Sequence, residues 1–94
     1  MQKIIFKLNS YTEFPQSIID DAPSSGPFDE YADFIVSKYK IVASQKETRA
    51  FLLRYGISED SKNMKDTESM LKCLFWISIL DCKENKTNGF YMGI

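Results

Sequence analysis

"KCLFWISILDC", residues 72–82, is the stretch on which the fold turns, because its apolar centre suits a buried helix or a buried strand equally. Periodicity alone does not separate the two. Read as a helix capped by Asp66 or Thr67, the segment turns Met70, Leu71, Leu74, Phe75 and Ile77 inward. Read as a strand, it turns through "KENKTNG" (83–89) into "FYMGI" (90–94). The length of 67–82 and its capping candidate favour a helix, with the strand as the alternative.

Downstream, "NGFYMGI" (88–94) reads as a turn and a short strand, a plausible neighbour for the N-terminal stretch. That stretch, "KIIFKLN" (3–9), alternates with Ile4, Phe6 and Leu8 on one face, as a strand does. Upstream, "ISEDSKNMKD" (57–66) is a polar connection. "SQKE" (44–47) has the spacing of a capping box, in which Ser44 and Glu47 each satisfy the other's backbone N–H. The helix it opens sets Thr48, Phe51, Leu52 and Tyr55 on one face, and Gly56 is placed to end it in a left-handed conformation.

Residues 27–40 read as a further helix, with Pro27 at the first position and Ser25 or Gly26 as cap. Phe28, Tyr31, Ala32, Ile35 and Tyr39 form its inward stripe. Pro15, Pro23 and "SSG" mark a loop between the first strand and this helix. No internal repeat or long linker divides the chain. The expected architecture is therefore one α+β domain over residues 1–94, three helices packed on a small sheet made by the N- and C-terminal strands.

The 94 residues include 44% hydrophobic side chains and thirteen aromatics, enough for one modest core. A net charge of −1 argues against a general nucleic-acid or membrane coat. The longest nearly apolar run, "CLFWISIL", is far short of the roughly 20 residues a membrane helix needs, so no membrane partner is expected. "MQKIIFKLNS" lacks the apolar core and cleavage site of a signal peptide, which makes the cytoplasm the expected location. Cys73 and Cys82, nine apart, fall on opposite faces of either a helix or a strand, and buried free thiols are the expectation.

The chain has no histidine, which removes Ser-His-Asp triads, Cys-His pairs and most catalytic zinc sites. Its four glycines fit no phosphate-cradling pattern. Catalysis, a cofactor and a metal are accordingly not expected. Asp29, Glu30 and Asp33 could reach one Mg²⁺ from a helix face. The plainer account is that acids in a first turn complement the helix dipole. Trp76 and the apolar run around it read as core.

Charge is distributed unevenly. Residues 8–37, which contain "PSSGPFDEYADF" (23–34), hold Glu13, Asp20, Asp21, Asp29, Glu30 and Asp33 and no base. Residues 38–54 carry Lys38, Lys40, Lys46, Arg49 and Arg54 against Glu47 alone. One reading is that the two segments neutralise each other, or that the acids form a merely solvated face. The sharper one notes Phe14, Phe28, Tyr31 and Phe34 among the acids. In helical register Phe34 leaves the inward stripe and joins Glu30 and Asp33, so an aromatic stands beside carboxylates as in a binding hot spot.

The functional expectation is thus a non-enzymatic cytoplasmic inhibitor, an immunity or antitoxin protein that blocks a toxic nuclease. Glu13, Asp20, Asp21, Asp29, Glu30, Tyr31, Asp33 and Phe34 would meet the basic partner. A phage anti-defence protein acting by nucleic-acid charge mimicry uses the same surface. A nucleic-acid-binding regulator would instead use the basic helix 44–56. Against that stands "TRAFLLRYGIS", which puts Leu52 where a helix-turn-helix needs a small residue, before a segment too polar for a recognition helix.

Overall fold

In the computed structural model, which describes residues 3–23 and 28–93, the deciding stretch is helical. Helix α4 runs Thr67–Asn85, and the Asp66 carboxylate caps it by accepting from the Ser69 N–H at 2.8 Å. Its 19 residues extend about 28 Å, close to the 32 Å length of the molecule. It is the central element because it is apolar on several sides at once: Met70, Leu74, Phe75, Ile77, Ile79 and Cys82 are all buried. The one buried hydroxyl on it, Ser78, donates to the Phe75 carbonyl at 2.7 Å. No described helix is long and apolar enough to cross a membrane.

Helices α1 (Gln16–Asp21), α2 (Phe28–Lys38) and α3 (Gln45–Tyr55) pack against α4. Phe75 is the pivot, with Phe14 edge-on at 6.1 Å and Phe28 at 6.2 Å. Burial of such a ring is worth roughly 1.5–3 kcal/mol. Ala32 and Ile35 join the core from α2 as its spacing predicts, Tyr39 from just beyond its end, since the helix stops at Lys38 rather than 40, and Thr48, Phe51 and Leu52 from α3. Three of the inward residues expected on the helices depart from this. Tyr55 is 60% exposed, and Tyr31 and Leu71 are half-buried. The cap predicted for α2 at Ser25, Gly26 and Pro27 lies outside the described residues.

The α3 signals are met with one alteration. Ser44 accepts from the Glu47 N–H, and Gly56 closes the helix at φ 114°, ψ 9°, its N–H bonding back to Leu52 and Leu53. The Glu47 carboxylate does not return to Ser44. It accepts from the Leu8 N–H at 2.7 Å, tying the start of α3 to the end of the first strand region.

Four short strands form two small sheets, giving an α+β fold with three main helices. Strand β1 (Lys3–Ile5) pairs in parallel with β3 (Lys40–Val42), and β2 (Ser10–Glu13) pairs antiparallel with β4 (Gly89–Met92). The C-terminal strand does pair with the N-terminal region, but with 10–13 rather than 3–9. The chain turns at Asn9, whose φ is 59°, so residues 3–9 are not one strand. The Ile4–Phe6 alternation survives, both side chains being buried, and β1 finds its partner in β3. The Thr12 hydroxyl joins the two regions by donating to the Ile5 carbonyl at 2.7 Å. The 57–66 connection contains a single 3-10 turn, Lys62–Met64, that buries Met64. Both thiols are free; Cys82 is buried as expected but Cys73 only half-buried, and desolvation pushes each above its ordinary pKa.

Candidate functional site

Helix α1 buries Ile18 and Ile19 and leaves Asp20 and Asp21 exposed at its C-terminal end. That end of a helix carries partial negative charge, so acids there are disfavoured, and α1 has no basic residue in its last turn to offset them. Asp20 receives a hydrogen bond from the Gln16 amide at 3.0 Å and lines a depression of about 390 Å³ with Lys83 and Lys86. Neither lysine forms an ion pair with it.

Helix α2 stands beside α1, and Tyr31 is the joint. Its hydroxyl donates to the Ile18 carbonyl. Burial, then the negative charge of Asp21, pushes the phenol up to about 12. Tyr31 therefore serves first to hold the two acidic helices together, and its polar tip is committed within the fold.

Asp29 and Glu30 occupy the first turn of α2 and are exposed. Phe34 is 55% exposed, with the Lys38 ammonium 5.7 Å from its ring centre. Phe14 is in the core. Asp33 is the acid that the chain itself engages: the Lys72 ammonium lies 2.7 Å away and also reaches Glu68 at 3.6 Å. The Asp33 bond is the first cause of the raised Lys72 pKa. Glu13 is exposed at the end of β2, in register opposite Gly89.

The basic segment does not neutralise this face. Arg49 pairs with Glu59, and no ion pair among the described residues joins Lys38, Lys40, Lys46 or Arg54 to any acid of 13–33. The Mg²⁺ geometry is not assembled either: no group of three metal-ligating side chains occurs among the described residues.

The far flank of α2 borders a cleft of about 940 Å³, walled by α2, α4, the end of α3 and the 3-10 turn. Asp29 and Asp33 reach it, so the acidic series is divided by its own helix: these two face the cleft, while Glu30 and Phe34 lie on the other flank. Trp76, expected in the core, lines the cleft at 39% exposure with its ring 4.1 Å from that of Phe28. Leu80 and Tyr55 line it too. The capping signal at Asp66 contains this information, since a helix with 70, 74 and 77 inward puts 76 and 80 together on an outer flank.

Comparison of the chain with protein-family models, curated proteins and solved structures gives no match.

Proposed function

We propose that this chain is a small non-enzymatic inhibitor that binds a basic protein partner, a toxic nuclease, in the cytoplasm. The observation that carries the reading is that Glu13, Asp20, Asp21, Asp29 and Glu30 have no cationic partner within the described fold, although five cations follow them in sequence. Asp20 and Asp21 even sit against a helix dipole. The Gln16 amide offsets this in part at Asp20, and Asp29 and Glu30 suit the first turn of α2, but no intramolecular contact among the described residues accounts for Asp21 or Glu13, and a basic cleft in a partner would use all of them. Phe34 supplies an exposed aromatic anchor next to Glu30. Carboxylates on this face would take the places that phosphates take in a nuclease cleft, so the phage anti-defence role is the same chemistry with another partner. The nucleic-acid-binding reading loses support because Arg49, the middle cation of α3, is held by Glu59.

The test is capture from a bacterial lysate by immobilised wild-type protein, beside the Asp20→Lys, Asp21→Lys, Glu30→Lys variant. The reading expects a basic nuclease retained by the wild type alone, with its hydrolysis of nucleic acid suppressed on adding soluble wild-type protein. Equal retention by both proteins, or a retained protein whose nuclease activity is unaffected, overturns it. Nucleic acid retained in place of protein, and lost on Lys46→Ala with Arg54→Ala, would favour the regulator.

A further inference from the structure

Both small sheets turn one side to the core and leave the other open. Ile4, Thr12, Phe90 and Met92 are buried, while Ile5, Val42, Tyr11 and Tyr91, at alternate positions, are exposed. Ile5 stands beside Val42 in register, and Tyr11 beside Tyr91. The Thr12 bond to the Ile5 carbonyl sets β1 against β2, so the strands follow one another in the order β3, β1, β2, β4. Single apolar residues on a surface need no explanation, whereas several gathered on one face mark a contact site.

Two features of this face carry ligand chemistry. Tyr11 and Tyr91 are 56% and 55% exposed. The tip of the Tyr11 ring occupies the space a side chain at Gly89 would take, and an edge of the Tyr91 ring the space at Gly93. The two glycines thus let both rings lie along the sheet, in opposite directions along β4, as two separate platforms open to solvent. The second feature is charge. Lys3 and Lys40 are exposed side by side in the β1–β3 ladder, and Lys7 is exposed two residues beyond Ile5. No ion pair among the described residues holds any of the three. Like charges directly opposite each other destabilise a sheet, so the Lys3–Lys40 pair does nothing for the fold. Glu13 is the sole acid in the four strands and lies at the end of β2, and Glu47, near Lys7, is held by the Leu8 N–H.

Lysine is depleted from protein interfaces, so its concentration here speaks against a protein occupant. A face four strands across is too broad for either groove of a duplex. Exposed rings beside unpaired cations suit unpaired bases and their phosphates. We infer that this face binds single-stranded nucleic acid, with bases stacked on Tyr11 and Tyr91 and the backbone running along Lys3, Lys7 and Lys40. The inference goes beyond the inhibitor reading and does not use the α1–α2 acids.

The test titrates the full chain into fluorescein-labelled oligothymidylate, oligouridylate and a duplex, each about twelve nucleotides long, with anisotropy as the readout. Saturable binding to a single strand is expected, at least about ten-fold tighter than to the duplex. Tyr11→Ala and Tyr91→Ala are each expected to weaken it about ten-fold, and Tyr11→Phe and Tyr91→Phe, which keep the ring, to bind within about two-fold of wild type. Lys3→Gln with Lys40→Gln is expected to flatten the slope of log affinity against log salt by roughly 1.4, about 0.7 for each phosphate contact. Circular dichroism verifies that the variants are folded. Equal or tighter binding to the duplex, silence toward both single strands, or alanine variants that bind like wild type overturn the inference. So do phenylalanine variants as weak as the alanine ones, binding lost on Lys46→Ala with Arg54→Ala instead, or binding to phosphatidylserine vesicles with none to the oligonucleotides.

Discussion

Replacing Tyr31 with phenylalanine deletes one hydroxyl and keeps the ring, so it isolates the link that sets α1 against α2. The lost bond to the Ile18 carbonyl is a neutral side-chain-to-backbone contact at a half-buried site, worth about 1 kcal/mol. A domain of this size has roughly 5–14 kcal/mol of stability, and 1 kcal/mol moves its melting midpoint by roughly 4–8 °C. The phenol adds a pH signature. With its folded pKa at about 12 against 10.0 ordinarily, the unfolded chain releases this proton first as pH rises. The contribution is therefore fully present below pH 10 and lost between pH 10 and 12. A two-unit shift corresponds to about 2.7 kcal/mol if wholly realised, and solvent screening at a half-buried phenol reduces this to about 1 kcal/mol. Urea denaturation at pH 8 and at pH 11.5 measures both effects. Tyr31→Phe is expected to be less stable at pH 8, with the gap narrowing at pH 11.5, where other titrations act on both proteins alike. A gap that stays constant or widens with pH refutes the reasoning.

Glu47→Ala is expected to cost about 1–3 kcal/mol by orphaning the Leu8 N–H, more than the roughly 1 kcal/mol of Ser44→Ala; a reciprocal capping box would make the two similar in urea titrations. Gly56→Ala is expected to destabilise by about 1 kcal/mol although nothing obstructs its Cβ, because its φ of 114° strains any L residue. At Gly89 a Cβ would meet the tip of the exposed Tyr11 ring, which can swing aside, so Gly89→Ala should melt closer to wild type than Gly56→Ala. The Asp66 carboxyl is held below its ordinary pKa by the Ser69 backbone N–H. Its contribution is present above the unfolded carboxylate pKa and lost as pH falls through the folded value. The stability difference between wild type and Asp66→Ala is therefore expected to shrink on acidification below about pH 4.

Helices α3 and α4 were legible because their signals are local: a cap three residues from its donor, a glycine where the helix stops, a recurring inward face. The short C-terminal strand was legible for the same reason. What escaped depends on partners distant in sequence. Strand β3 is only Lys40–Val42, and nothing in "KIV" calls for a strand without β1 beside it. Helix α1 has six residues and a proline N-cap with no side-chain bond, and β2 is "SYTE", so neither carries a local signal that distinguishes it from loop. Glu47 had a local role available and took a contact 39 residues away. At the candidate site, the charge segregation and the outward Phe34 were visible in the sequence. The engagement of Asp33 by Lys72 and of the Tyr31 hydroxyl by α1 required the tertiary arrangement, as did the exposure of Trp76.

The most direct measurement of whether the α1–α2 acids are available to a positive surface is the association rate, across salt from about 20 to 500 mM, of a basic nuclease that the proposed capture would identify. An unneutralised face predicts a rate that falls steeply with ionic strength, with most of that slope abolished by Asp20→Lys, Asp21→Lys and Glu30→Lys. A rate indifferent to salt, or a slope unchanged by the three reversals, would contradict the account.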